Sequence, residues 1–174
     1  MVRMRFESSD DQSLRDKIFE LLEKSGTTYE EDLSALLQCA DHIRNRQIVQ
    51  QTARECGVKL SRFISNDHLE LYYDIKRGRH AVGYISKGWG EPGFRVGDVI
   101  IVPKAKNTLL KAAAYTLLSF CATRGVVLTF NDTSEGAEIH MNATIYTDGF
   151  NRKVFDQSLD CLNDCVEKAE KLVA

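Results

Sequence analysis

Glu138-Ile139-His140-Met141-Asn142-Ala143-Thr144-Ile145 changes from polar to apolar at every step. A period of two sets Ile139, Met141, Ala143 and Ile145 on one side of an extended chain and Glu138, His140, Asn142 and Thr144 on the other. The segment therefore predicts a strand buried on one face only. Just upstream, residues 126–130 form a continuous apolar strand and residues 131–136 supply a turn, which makes the pair a hairpin. Downstream, residues 153–173 repeat Phe155, Leu159, Leu162, Cys165, Val166, Ala169 and Leu172 at helical spacing, giving a closing helix that lays one stripe on the sheet.

The preceding half extends the same design. Residues 109–123, capped by Asn107 or Thr108 and ended by Gly125, are apolar nearly all round and predict a buried helix. Before it, residues 98–102 read as a strand stopped by Pro103, and residues 88–97 as a glycine-rich loop. Leu69, Leu71, Tyr73 and Ile75 alternate with Glu70, Tyr72 and Asp74. A tight turn at residues 76–79 then leads into a strand at residues 80–86. The front of the chain is helical. Residues 11–24 carry Leu14, Ile18, Leu21 and Leu22, and Gly26 ends them. Thr28 with Glu31 forms a capping box. The helix that follows shows Leu33, Leu36, Leu37, Ala40 and Ile43, then slips phase beyond Asn45, which predicts a kink or a break before the stop at Gly57.

Strands joined by tight turns and flanked by helices predict an α+β fold. The sheet would be antiparallel, of about five to six strands, with helices packed on one face. A single domain is expected over residues 1–174, with a helical segment at 1–57, the sheet at 58–174, a buried helix at 107–124 and a last helix at 152–173. From about residue 58 onward this order of elements resembles the type III secretion chaperone-like fold, including the YbjN-like bacterial regulators. The likeness is one of layout, and the helical front is longer than that family's usual single helix. It implies a homodimeric protein-binding module without catalytic residues.

Composition narrows the class. Hydrophobic residues make up 43% and charged residues 28% of the 174, which fits a globular chain and excludes a disordered or fibrous one. The formal charge of −2 gives no global reason to bind nucleic acid or an anionic membrane. Its distribution is uneven, with five basic and ten acidic side chains in residues 1–43 against eight and four in residues 44–79. No apolar stretch is long enough to span a bilayer, and none follows the two arginines of the opening MVRMRFESSDD. Cys39, Cys56, Cys121, Cys161 and Cys165 are odd in number and irregularly spaced, so a reducing, cytoplasmic setting is expected.

Candidate sites follow from residue chemistry. Trp89, Phe94 and Arg95 on the glycine-rich loop have the side chains that dominate protein interfaces. The same loop, residues 88–93, carries the letters of a dinucleotide fingerprint, but a strand rather than a helix is expected after it, so no nucleotide cofactor is expected. His140, with Glu138 one pleat away, marks the polar sheet face as a second partner-binding surface, together with Asn142 and Tyr146. The His140–Glu138 pair also has the makings of a proton-transfer pair.

A nucleic-acid reading competes. Ala53, Gly57, Val58 and Phe63 have helix-turn-helix spacing. Arg54, Lys59 and Arg62 would then meet phosphate, Ser61 base edges, and Lys76, Arg77 and Arg79 would form a basic wing. Residues 58–64 read both as strand and as recognition helix, and the choice separates the two classes. Cys161 and Cys165 with Cys39 and His42 have zinc-ligand chemistry, yet no tight cysteine pair exists and no metal is expected. Three function classes stand in order: a non-catalytic regulatory or chaperone-like protein that binds another protein, a winged helix-turn-helix-like DNA-binding regulator, and a small enzyme whose site the sequence does not mark.

Overall fold

The computed structural model describes residues 9–62, 71–77, 80–88 and 90–173. The chain divides into two compact units, residues 1–41 and residues 42–174. The first holds helix α1, Ser9–Ser25, and the opening turns of α2, Tyr29–Glu55. Gly26, at φ +66°, ends α1 in a conformation that L side chains rarely adopt. The capping box forms as its spacing predicts. The Thr28 N–H donates to Glu31 Oε2 at 2.8 Å, and the Glu31 N–H donates to Thr28 Oγ1 at 3.3 Å.

Of the kink or break expected beyond Asn45, the break is absent: no glycine or proline interrupts α2, which forms one helix of 27 residues. The change of phase marks instead where burial begins. Residues 29–41 bury no side chain, whereas Asn45, Val49, Thr52 and Ala53 are buried. At the far end Val58 N–H donates to the Ala53 carbonyl and Gly57 N–H to the Arg54 carbonyl, the paired bonds of a helix C-terminus closed by a left-handed glycine.

Residues 42–174 hold a six-stranded sheet. Its strands are β1 Lys59–Arg62, β2 Leu71–Arg77, β3 His80–Lys87, β4 Gly93–Pro103, β5 Val127–Thr133 and β6 Gly136–Tyr146. Helix α3, Asn107–Ala122, joins β4 to β5, and α4, Arg152–Val173, closes the chain. The order across the sheet is β1-β2-β3-β4-β6-β5, and every neighbouring pair is antiparallel. The α+β reading therefore holds. So does the alternation at residues 138–145: Ile139, Met141, Ala143 and Ile145 are buried, and the polar residues between them are not.

Opposite them on β4 lie Phe94, Val96 and Val102, paired with Ile145, Ala143 and Ala137. Phe155, Leu159, Leu162, Cys165 and Ala169 of α4 meet this layer, with Leu117 and Cys121 of α3 and Val49 and Ala53 of α2 in the same core. Removing each large side chain from water contributes about 1.5–3 kcal/mol. Arg77 of β2 reaches Asp156 at 2.6 Å and Asp160 at 3.2 Å, which ties the sheet to α4.

Two sequence expectations are corrected here. β4 begins at Gly93 rather than residue 98, because the backbone of 93–97 pairs fully with 142–146 of β6 despite two glycines. And α3 is not buried all round. Leu110, Leu117 and Cys121 face the core, while Leu109, Tyr115 and Leu118 lie on its outer side with nothing described over them.

Candidate functional site

The sheet face away from α3 and α4 carries the polar set predicted from the alternation. Across β6, Glu138, His140 and Asn142 are half-buried, and Tyr146 is 66% exposed. His140 Nε2 lies 3.0 Å from Glu138 Oε2, as neighbours one pleat apart should. Strand pairing brings Val99 of β4 and Thr129 of β5 to either side of His140, and Ile101 and Asn131 to either side of Glu138. Ile101 is 74% exposed, so an apolar rim borders the histidine–carboxylate pair.

A second row crosses the face at Gly97. Tyr84 of β3 and Asn142 of β6 both pair with this glycine, and the Tyr84 hydroxyl donates to Asn142 Oδ1 at 2.6 Å. A Cβ at residue 97 would lie 2.3 Å from that amide oxygen and 2.8 Å from Tyr84 Cζ, so only glycine lets the phenol pass. Tyr72 of β2 stacks on Tyr84, ring centroids 5.2 Å apart. The face thus presents a tyrosine pair, an amide and a histidine–carboxylate pair. It can offer and accept hydrogen bonds over a broad, shallow surface. His140 and Glu138 together can pass a proton, with no serine or cysteine hydrogen-bonded to the ring among the described residues.

The glycine-rich loop is organised by Glu91. Its carboxylate accepts the Gly88 N–H at 3.0 Å and pairs with Arg95, while its carbonyl accepts Lys87 Nζ at 2.7 Å. The Pro92 carbonyl accepts both the Thr147 N–H and the Thr147 hydroxyl at 3.1 Å. The placement of Phe94 on an exposed loop is corrected: it sits on β4 and is fully buried, its ring 4.4 Å from that of Phe150. Strand pairing turns residue 94 inward and residue 95 outward, so Arg95 alone of that pair faces solvent. Trp89 lies outside the described residues.

The helix-turn-helix expectation is corrected as well. After Gly57 the chain enters β1, whose Lys59 and Ser61 pair with Lys76 and Asp74, so residues 59–62 are strand where a recognition helix was expected, and Phe63 lies outside the described residues. Arg62 ends that strand, Arg77 is engaged by Asp156 and Asp160, and Arg79 lies outside the described residues. Among the described residues Arg54 lies on α2, Lys59 and Arg62 on β1, and Lys76 and Arg77 on β2, so they are not gathered on one helix.

The cysteines divide by environment. Cys39 is exposed, whereas Cys121 and Cys165 are buried. Burial pushes the Cys165 thiol up to about 12, helped by its hydrogen bond with Cys121, and burial raises Cys121 too. Among the described residues no group of three or more His, Cys, Asp or Glu side chains converges on a metal position. Asp98 points to the helix side of β4. Burial raises its carboxyl, the Glu170 carboxylate on α4 adds to the rise, and the Val99 N–H opposes it. Gly97, Tyr84 and Asp98 were not singled out from the sequence, where Gly97 falls in the stretch expected to be a loop.

No family model matches the chain, and no curated protein matches it. Among solved structures the fold is similar to that of an uncharacterized protein from Methanothermobacter thermautotrophicus, with TM-score 0.58 and 9% identity over 74% of this chain and 95% of that one. At that identity the likeness is one of fold. No helix among the described residues is long and apolar enough to cross a membrane.

Proposed function

We propose that this chain is a non-catalytic, chaperone-like regulatory protein that works by holding another protein and assembles as a homodimer. The outer side of α3 carries the proposal. Tyr115 is 82% exposed there, with the exposed Leu118 three residues on beside it, and Lys111 is the single charge in the helix. An apolar, nearly uncharged helix face of this kind marks an interface. Ala112, Ser119 and Ala122 on its exposed surface let a second helix approach closely. The same face on a second copy is its natural complement, since a two-fold axis matches a patch to itself. The order of strands and helices from β1 onward, which resembles the type III secretion chaperone-like fold, supports the same reading.

Light scattering on the purified chain tests the dimer: wild type is expected at twice the chain mass and Tyr115→Glu at the single mass, with unchanged far-UV circular dichroism. Capture from native lysate tests partner holding. Discrete proteins retained by wild type and lost with an Ile101→Ser/His140→Ala variant of the open sheet face support it. Identical recovery by both would remove it.

A further inference from the structure

The first half of α2 carries an apolar stripe with nothing described over it. Tyr29, Leu33, Leu36, Ala40 and Ile43 follow one another at steps of four, three, four and three residues. That is the 3.5-residue period with which one helix lies along another in a two-stranded coil. All five are exposed, Ile43 to 57%. The stripe does not continue the core face of the helix. Asn45, Val49 and Thr52, which are buried, stand nine residues beyond Leu36, Ala40 and Ile43 respectively. Nine residues make about two and a half turns, which leads to the opposite side of a helix.

Charge borders the same stripe and changes sign along it. Glu30 and Asp32 flank its start, and Arg44 and Arg46 flank its end. Glu30, Arg44 and Arg46 are exposed, and no ion pair among the described residues holds them. Asp32 is half-buried and accepts the Thr27 hydroxyl on Oδ1, with Oδ2 outside that bond. A copy of the same helix laid antiparallel answers both ends. Leu33 of one copy then meets Ile43 of the other, and Leu36 meets Ala40. The same register sets Glu30 beside Arg44 and Asp32 beside Arg46, twice over, while Leu37 and Cys39 meet their own counterparts near the centre. Laid parallel, acidic turn would face acidic turn, and like charges at an interface are unfavourable.

We infer that residues 29–46 of α2 pair antiparallel with the same residues of a second copy. The contact is separate from the one proposed on α3 and does not depend on it. Its stripe covers about two heptads, fewer than the three or four of a sustained coiled coil, so it is weak in dilute solution and is read by trapping. A short bis-maleimide, which bridges two thiols, is added to the concentrated full chain, and linked peptides are identified by mass spectrometry. A Cys39–Cys39 product is expected.

Glu30→Arg/Asp32→Arg and Arg44→Glu/Arg46→Glu are each expected to lower its yield at least roughly fivefold, because each places like charges together at both ends. An equal mixture of the two variants is expected to restore most of the yield, since the altered ends of one complement those of the other. A folding defect would not be rescued in this way. Leu33→Ser/Leu36→Ser, with every charge in place, is expected to lose the product as well. A wild-type yield no higher than that of the serine variant overturns the inference, as does a mixture that links no better than its components. Tyr115→Glu is expected to keep the wild-type yield, and loss of the product there overturns the inference, because the contact would then belong to α3. If the product persists while wild type and Tyr115→Glu scatter at the same mass, the α3 dimer is removed and the α2 pairing stands.

Discussion

Tyr84 donates its hydroxyl hydrogen to Asn142 Oδ1 at 2.6 Å across an intervening strand, and Gly97 on that strand is the gap through which it does so. The bond joins β3 to β6 over the back of β4 and fixes the centre of the uncovered sheet face. Gly97→Ala sets a methyl 2.3 Å from the amide oxygen and 2.7 Å from the Met141 carbonyl, so a backbone must move. The expected loss is about 3 kcal/mol by denaturant titration. Tyr84→Phe, which keeps the ring and its stack on Tyr72, is expected to lose only about 1 kcal/mol.

Asp98 gives the fold a pH signature. Its carboxyl is raised above 3.8 in the folded chain, first by burial and then by Glu170, so the folded state holds that proton more tightly than the unfolded state does. The sign follows from linkage: the contribution is fully present below the unfolded value and is lost as pH rises through the folded one. Asp98→Asn is expected to raise the melting temperature at neutral pH. It is also expected to flatten the fall in stability between 3.8 and the raised value, relative to wild type. Calorimetry across that interval checks both, and an unchanged pH profile would show that Asp98 is not the group responsible.

Thiol chemistry separates the cysteines. Thiolates are the reactive form, and Cys165 at about 12 with Cys121 also raised will hold little thiolate in the native state. Alkylation of the folded chain at mild alkaline pH is expected to mark Cys39 first, leaving Cys121 and Cys165 untouched until denaturant is added. Peptide mass spectrometry reads the order directly.

Arg77 spans β2 and α4 through Asp156 and Asp160, but all three side chains are substantially solvated. Arg77→Ala is therefore expected to lose less than about 1 kcal/mol, and high salt is expected to remove most of the difference. A larger loss would mean that burial of the arginine stem matters more than its charge.

Several of these features were legible before any coordinates. Thr28 and Glu31 state their capping box three residues apart, and residues 138–145 state a one-sided strand. The start of β4 was hidden because Gly93 and Gly97 carry no strand preference of their own. They are held by pairing with Tyr146 and Asn142, which is tertiary information. The phase change at Asn45 was visible, but a stripe can shift because the helix breaks or because what it packs against changes, and periodicity does not separate the two. For α3, an all-round apolar sequence demands cover without saying whether this chain or another supplies it. At the candidate site, the His140–Glu138 pair followed from the pleat. The burial of Phe94 did not, since it depended on where pairing began.

The outer hairpin has a quieter consequence. β5 forms an edge of the sheet, and a bare edge invites further strands to zip on and build fibres. Here the strand runs out through Asn131, Asp132 and Thr133. The carboxylate of Asp132 stands opposite Ala137, on the side that a growing stack would have to dry. The opposite edge, β1, is only four residues long. Polymerisation along the ladder is thus discouraged at both margins, so the sheet ends where this chain's own strands end.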